Sequence, residues 1–411
     1  MSSGEALSPP GIKGDGRAAT LVIAGSAGVT SMAFNVWYPF MPLYALELGA
    51  SSDANAVFWV AVAITAQGVT RLASSAVWGV LSDRFGRKLM LLRSLYLASL
   101  TFAVAAFASE PWHLGVALGC QGFFSGFVPA SVALVSVSVP DSRLNSSLAM
   151  VTGVQYLGST TGPALGAGLA LAFGYRGSIA VAALVPLIAA TAVLFLVPRD
   201  EVTPRATTAS GSKVKLEPFK MTGQFVLAVS ALFCVYSMNE LIRLATPIAL
   251  RAIEGHENVA GVAGLTFSLG GLISAVSVLL LSPWLFRRGR LRLACAAACA
   301  VGATGFFILA GGGEVALYVL GFLLVAVVVS SMVPAMNTQI AANAARSRRG
   351  TAFGIAASVQ AFSFGVGPLG AAFFAGTSLE LGFAILGCVF LVLGMMLALL
   401  VREPAGPVGV L

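Results

Sequence analysis

The chain has 411 residues, of which 58% are hydrophobic and only 10% charged, and its mean hydropathy is +0.92. A water-soluble domain of that length needs a far more polar surface, so the composition places the chain in a bilayer. The net charge of +8 comes from basic residues scattered through short loops, which excludes the continuous basic face of a nucleic-acid-binding domain.

The first eighteen residues, MSSGEALSPPGIKGDGRA, are polar and rich in Gly and Pro and read as a disordered cytoplasmic tail, 1–18. The apolar run behind them is too long for a signal-peptide core. Apolar segments long enough to cross a bilayer, about 20 residues each, then lie near 19–44, 56–81, 88–108, 112–138, 146–173, 178–198, 222–249, 258–285, 291–312, 315–342, 350–376 and 380–401. These predict an all-α integral membrane protein with twelve transmembrane helices. The polar stretch 199–221 has the composition of a flexible linker and divides six helices from six. It separates an N-terminal bundle, 19–198, from a C-terminal bundle, 222–402, with 403–411 as a second cytoplasmic tail.

Basic residues set the orientation. On this map twenty of the 24 Lys and Arg residues fall on one side, Arg176 and Arg251 fall on the other, and Arg71 and Arg243 lie inside spans. The twenty-residue side is expected to be cytoplasmic, with both termini on it.

Sliding the second half onto the first gives a repeat at an offset of 205 residues: VPA at 128–130 meets VPA at 333–335, VQ at 154–155 meets VQ at 359–360, GP at 162–163 meets GP at 367–368, and Pro42 meets Pro247. Transporters built from repeats bind substrate near the midplane between them and rock one half against the other.

Chemistry of other kinds finds little support. Cys120, Cys234, Cys295, Cys299 and Cys388 sit in apolar segments without metal-ligand spacing and read as small packing residues, so no metal or other cofactor is expected. The two histidines, His113 and His256, map to loops, and neither a Ser-His nor an HExxH pattern marks an intramembrane enzyme.

Between the second and third spans the chain reads GVLSDRFGRK. Gly79 permits a close helix contact, Asp83 can cap or pair, Gly86 turns the chain, and Arg84, Arg87 and Lys88 fix the basic side. Taken alone this is a positive loop of ordinary kind. It resembles the major facilitator superfamily, whose pattern in this loop is Gly-x-x-x-Asp-Arg-x-Gly-Arg-Lys. The resemblance implies two six-helix bundles around a central cavity, usually working as a monomer, and assigns Asp83 to a latch between the halves. The corresponding second-half loop, SPWLFRRGRLR, keeps Gly289 but has no acid.

In the fifth span Gly158, Gly162, Gly166 and Ala170 recur every four residues, a side-chain-free strip for close helix packing, and Pro163 kinks the helix. The Gly158, Gly162, Pro163 and Gly166 pattern also resembles that of proton-coupled exporters, with Ala167 replacing the family's last Gly. GFFSGFVPA and the DSR after it are similar to bacterial multidrug efflux proteins of the drug/proton antiporter families. One departure stands out: where many of those proteins carry an Arg a turn before the QG pair, this chain has Leu118.

Ser31, Asn35, Tyr38 and Pro42 share one helical face of the first span, and the offset of 205 carries them to Tyr236, Glu240, Arg243 and Pro247. Gln67, Arg71, Ser74 and Trp78 share a face of the second span. Gln121, Gln155, Tyr156, Asn337 and Gln360 complete the polar candidates, each open to the alternative of interhelical glue. For Glu240 and Arg243 the alternative is a local i,i+3 ion pair. Two readings of function follow. In the first, Glu240 carries a proton while an amphipathic molecule or drug is exported in exchange. In the second, Arg71 and Arg243 clamp an organic anion.

Overall fold

A computed structural model describes residues 17–198, 221–255, 258–281, 291–344 and 349–401. The expected tails, the linker at 199–220, the second-half loop 282–290 and His256 lie outside these residues, and of Gly79 and Asp83 only the helical backbone is described. The described residues form helices: α1 Arg17–Trp37, α2 Met41–Glu47, α3 Asp53–Phe85, α4 Arg87–Ala106, α5 Trp112–Phe124, α6 Phe127–Ser138, α7 Asp141–Leu196, α8 Gly223–Glu254, α9 Val259–Val276, α10 Leu291–Ala310, α11 Val315–Ala342, α12 Arg349–Gly376 and α13 Leu379–Leu400. A helix satisfies its own backbone hydrogen bonds, which lipid cannot do for it. Large apolar side chains such as Phe173, Phe195, Leu293 and Leu399 point outward, as a lipid-facing surface requires.

Eleven helical segments among the described residues are long and apolar enough to cross a membrane. One of them, Ser146–Leu196, has 51 residues, roughly twice what a ~30 Å hydrocarbon core needs. It is broken at Gly174, whose φ of 69° and ψ of 173° lie outside any helix, so its two arms correspond to the fifth and sixth spans of the sequence map. The expected count of twelve treats those arms as separate crossings.

Two spans differ from their expected form. The first continues to Glu47, bent through a 3₁₀ turn at Tyr38–Phe40 where Pro39 lacks a backbone donor. The fourth is not continuous: Ser125 is extended and Gly126 takes a φ of 129°, dividing α5 from α6. Gly86, at φ 92°, makes the turn from α3 to α4 that its motif predicts. Lys88 does more than mark a side. Its buried ammonium donates to the carbonyls of Leu194 (2.8 Å) and Val197 (2.5 Å), capping the far end of α7.

The repeat is visible in the packing. A methyl added at Gly162 of α7 would stand 2.6 Å from Asn35 Cβ and 2.7 Å from the Met32 carbonyl oxygen of α1. A methyl added at Gly367 of α12 would stand 2.8 Å from Glu240 Cβ, next to the Ser237 carbonyl of α8. Every member of the second set lies 205 residues after its counterpart in the first. Gly158 abuts the Gly28 carbonyl, and Ser363, its counterpart, donates to the Phe233 carbonyl at 3.3 Å. The glycine motif of the fifth span therefore seats α7 on α1 backbone to backbone.

The halves meet along two pairs of helices. Thr65 on α3 donates to the Gly365 carbonyl of α12 at 3.4 Å, and Gly264 of α9 packs on the Pro163 carbonyl of α7. At the end of α3 remote from the basic loop 84–88, Asp53 forms an ion pair with Arg251 of α8. An ion pair thus bridges the two halves on the far side.

Because Gly158 has no room for a side chain, Gly158→Val is expected to lower the unfolding midpoint of the detergent-purified protein, by overpacking on the order of 1–3 kcal/mol. Gly153→Ala, in the same helix with open space around it, is the control. Equal midpoints for the two variants would argue against the close seam.

Candidate functional site

Polar side chains from α1, α3, α5 and α8 join in a connected set at the centre. The Tyr38 hydroxyl donates to Gln67 Oε1 at 2.8 Å, and Gln67 Nε2 donates to Gln121 Oε1. Asn35 donates to the Ser31 carbonyl at 2.8 Å, while its own Oδ1 accepts from Arg243 Nη2 at 2.7 Å. The Arg243 guanidinium also lies 5.0 Å from the centre of the Tyr38 ring, within cation–π range. Arg243 therefore reaches from the second half to two residues of the first. Of the stripe predicted at Glu240/Arg243, Arg243 meets the stripe predicted at Asn35/Tyr38.

Glu240 does not join this bridge. It is 6% exposed, its Cβ lies against Gly367 of α12, and among the described residues it makes no ion pair with Arg243 or any other cation within 4.0 Å. The local i,i+3 pair is not formed because the guanidinium turns to Asn35 and Tyr38. Arg71 does not pair with Glu240 either. Its Nε donates to Ser125 Oγ at 3.1 Å, at the break in the fourth span, and the side chain remains solvent-accessible. Arg93 of α4 reaches the same break through the Ser125 carbonyl (3.3 Å) and stacks 3.5 Å over the ring of Trp78.

Two cavities flank the bridge. One, of about 160 Å³, lies between α3 and α12 and is lined by Gln67, Arg71, Gln360 and Phe364. The other, of about 170 Å³, is lined by Asn35, Asn239, Arg243, Ser274, Phe267 and Phe322. Arg71 and Arg243 thus open onto different cavities. Asn337 lines neither. Tyr156 is 68% exposed, Tyr236 packs half-buried against the core, and among the described residues the buried Gln155 amide nitrogen has no hydrogen-bond partner. Sequence reasoning missed Asn239, Ser274 and Ser125, lone polar residues without a paired stripe to mark them. The two halves also differ: the positions 205 beyond Gln67, Arg71 and Gln121 are Leu272, Val276 and Ala326, so this polar wall has no second-half copy.

In the motif loop, Arg84 packs over Phe85 at 5.4 Å. Among the described residues no group of three or more His, Cys, Asp or Glu side chains is placed to hold a metal ion.

The sequence model of the Major Facilitator Superfamily matches residues 23–368. The chain belongs to the Major Facilitator Superfamily. Among curated members it is similar to the multidrug resistance protein MdtG of Proteus mirabilis, 29% identical over 257 residues that cover 61% of this chain and 62% of that protein. It is also similar to the multi-drug resistance efflux pump PmrA of Streptococcus pneumoniae, 27% identical over 256 residues, with the same coverage. The chain thus spans less than two thirds of the length of either relative. Solved superfamily structures share the fold: the human organic anion transporter MFSD10 at a TM-score of 0.64 and 18% identity, covering 95% of this chain and 100% of that one. The nucleoside transporter NupG aligns at a TM-score of 0.73 and 11% identity, covering 92% of this chain and 98% of that one.

The hydrogen bond between Asn35 and Arg243 joins a charged donor to a neutral acceptor across the halves, and such bonds contribute about 1.5–3 kcal/mol. A double-mutant cycle with Asn35→Ala and Arg243→Ala, read by thermal unfolding, is expected to show coupling on the order of 1 kcal/mol or more. Strict additivity would mean that the two side chains do not interact in solution.

Proposed function

We propose that the protein is a secondary transporter that exports amphipathic small molecules in exchange for protons, by alternating access, as a monomer in a bacterial inner membrane with both ends cytoplasmic. The observation that carries this reading is Glu240, a carboxyl group buried where α8 meets α12, beside an arginine engaged elsewhere. An ionised carboxylate in that position has its charge buried without an ion pair, which is costly, and protonation removes the cost. Exchange of that proton needs the surroundings of Glu240 to change, and rocking of the halves changes them. The named functions of the two multidrug relatives support the export direction, as does the glycine pattern of the fifth span.

In this reading the structure represents the state closed on the external side. Opening that side breaks the Asp53–Arg251 pair and separates Thr65 from Gly365. Arg243, held by Asn35 and Tyr38, couples the occupancy of the cavity it lines to the contact between halves, because a ligand that takes hydrogen bonds from the guanidinium competes with Asn35. Asp83 is assigned by resemblance to the cytoplasmic latch. Gln67, Gln121 and Tyr38 form the wall that orients substrate.

In proteoliposomes, Glu240→Gln is expected to retain substrate binding but to lose uptake driven by an imposed pH gradient. Full gradient-driven uptake in that variant would remove Glu240 from the coupling.

A second reading, transport of an organic anion, is favoured by one observation: Arg243 is the charged side chain among those lining the cavity beside Asn35 and Asn239. Flux of a labelled aromatic carboxylate that disappears in Arg243→Gln and persists in Glu240→Gln would select this reading. A cationic drug transported by wild type with Glu240 dependence would select the first.

A further inference from the structure

A third cavity lies away from the centre, where the beginning of α1 meets the corner between α6 and α7. Its volume is about 350 Å³, twice that of either central cavity. Arg17 and Thr20 line it from α1, and Arg143 and Ser147 line it from α7. Thr20 and Ser147 are 5% and 7% exposed, and the Ser147 hydroxyl has no hydrogen bond among the described residues. Leu21 and Met150, also lining it, are 56% and 37% exposed and belong to the lipid-facing surface. The cavity is therefore cationic and hydroxylated within and apolar on its outer wall. It sits at the end of the helices that carries the basic loops.

We propose that this cavity binds the phosphate headgroup of an anionic phospholipid, with Arg17 and Arg143 as the charge partners, the Thr20 and Ser147 hydroxyls as neutral contacts, and the acyl chains running past Leu21 and Met150. A phosphate diester carries one negative charge and accepts from several donors at once, and each guanidinium has five N–H groups, so a contact within the protein leaves others for the ligand. Basic recesses between transmembrane helices near the membrane surface suit such headgroups. The apolar outer wall distinguishes a lipid from a free phosphate, which would gain nothing from Leu21 and Met150. The site is separate from Glu240 and Arg243, so it stands whether the substrate is a drug, an anion or neither.

The test uses the full chain in a neutral detergent, carrying Leu21→Trp as a reporter, titrated with brominated phosphatidylglycerol, brominated phosphatidylcholine and inorganic phosphate. Two arginines acting on one headgroup are expected to favour phosphatidylglycerol over phosphatidylcholine by roughly thirtyfold in quenching affinity. Arg17→Gln/Arg143→Gln is expected to bring the two lipids to within about threefold of each other, and Arg17→Lys/Arg143→Lys to retain most of the preference. Native mass spectrometry of the single Gln variants, counting retained phosphatidylglycerol, supplies an independent reading if the double variant does not fold. Equal quenching by the two lipids in wild type, or an unchanged preference and lipid count in the Gln variants, would overturn the proposal. Displacement of the lipid by inorganic phosphate at similar concentrations would assign the site to a soluble phosphate and overturn the lipid as its ligand.

Discussion

The central geometry depends on how closely two helices approach in a solvent that does not push them together. Lipid is as apolar as leucine, so α1 and α7 gain association only through contact, and contact at backbone range requires positions without side chains. Gly158, Gly162 and Gly166 supply them. With α7 seated on its backbone, α1 and the 3₁₀ turn that follows it present Asn35 and Tyr38 to the second half from a fixed position. The reach of Arg243 to both residues is possible because that position is fixed. A glycine motif that the sequence associates with export is therefore, in the structure, the footing of the polar bridge.

Charge placement follows from the same economy. An arginine near a helix middle is costly unless it finds acceptors, and each central arginine finds its own: Arg243 takes the Asn35 oxygen and the Tyr38 ring, and Arg71 takes the Ser125 hydroxyl. Glu240 is left without an ion pair among the described residues. Three charges three to four residues or one helix apart do not cancel by proximity alone. Their partners are settled by which acceptors the rigid first half offers.

Much of this was legible before any coordinates. Helix positions, the polar first-span stripe and its charged copy follow from hydropathy, a 205-residue offset and helical periodicity, all carried by many residues at once. The Asn35/Glu240 equivalence even survives as a packing equivalence, each residue resting under its own glycine. The partners were less legible. The i,i+3 spacing of Glu240 and Arg243 invites a local pair, and nothing in the chain announces that an asparagine 208 positions away competes for the guanidinium. The break in the fourth span was hidden for a different reason. Hydropathy runs smoothly through Ser125–Gly126, because a glycine that leaves the helix contributes the same apolar value as one that stays, whereas the break at Gly174 falls where the sequence map already ends one span at 173 and begins the next at 178. The ion pair of Asp53 with Arg251 joins residues whose only sequence signal is being charged near a span end.

The seams of the two halves are built to one plan but not to one tolerance. Gly158 corresponds to Ser363, and Gly166 to Ala371, so the second-half joint between α8 and α12 carries side chains where the first has bare backbone. A joint that touches through side chains accommodates small displacements by rotamer adjustment, whereas backbone contact yields only by separating. The first-half joint is therefore the stiffer of the two. The looser one carries α12, the helix against which Glu240 is buried.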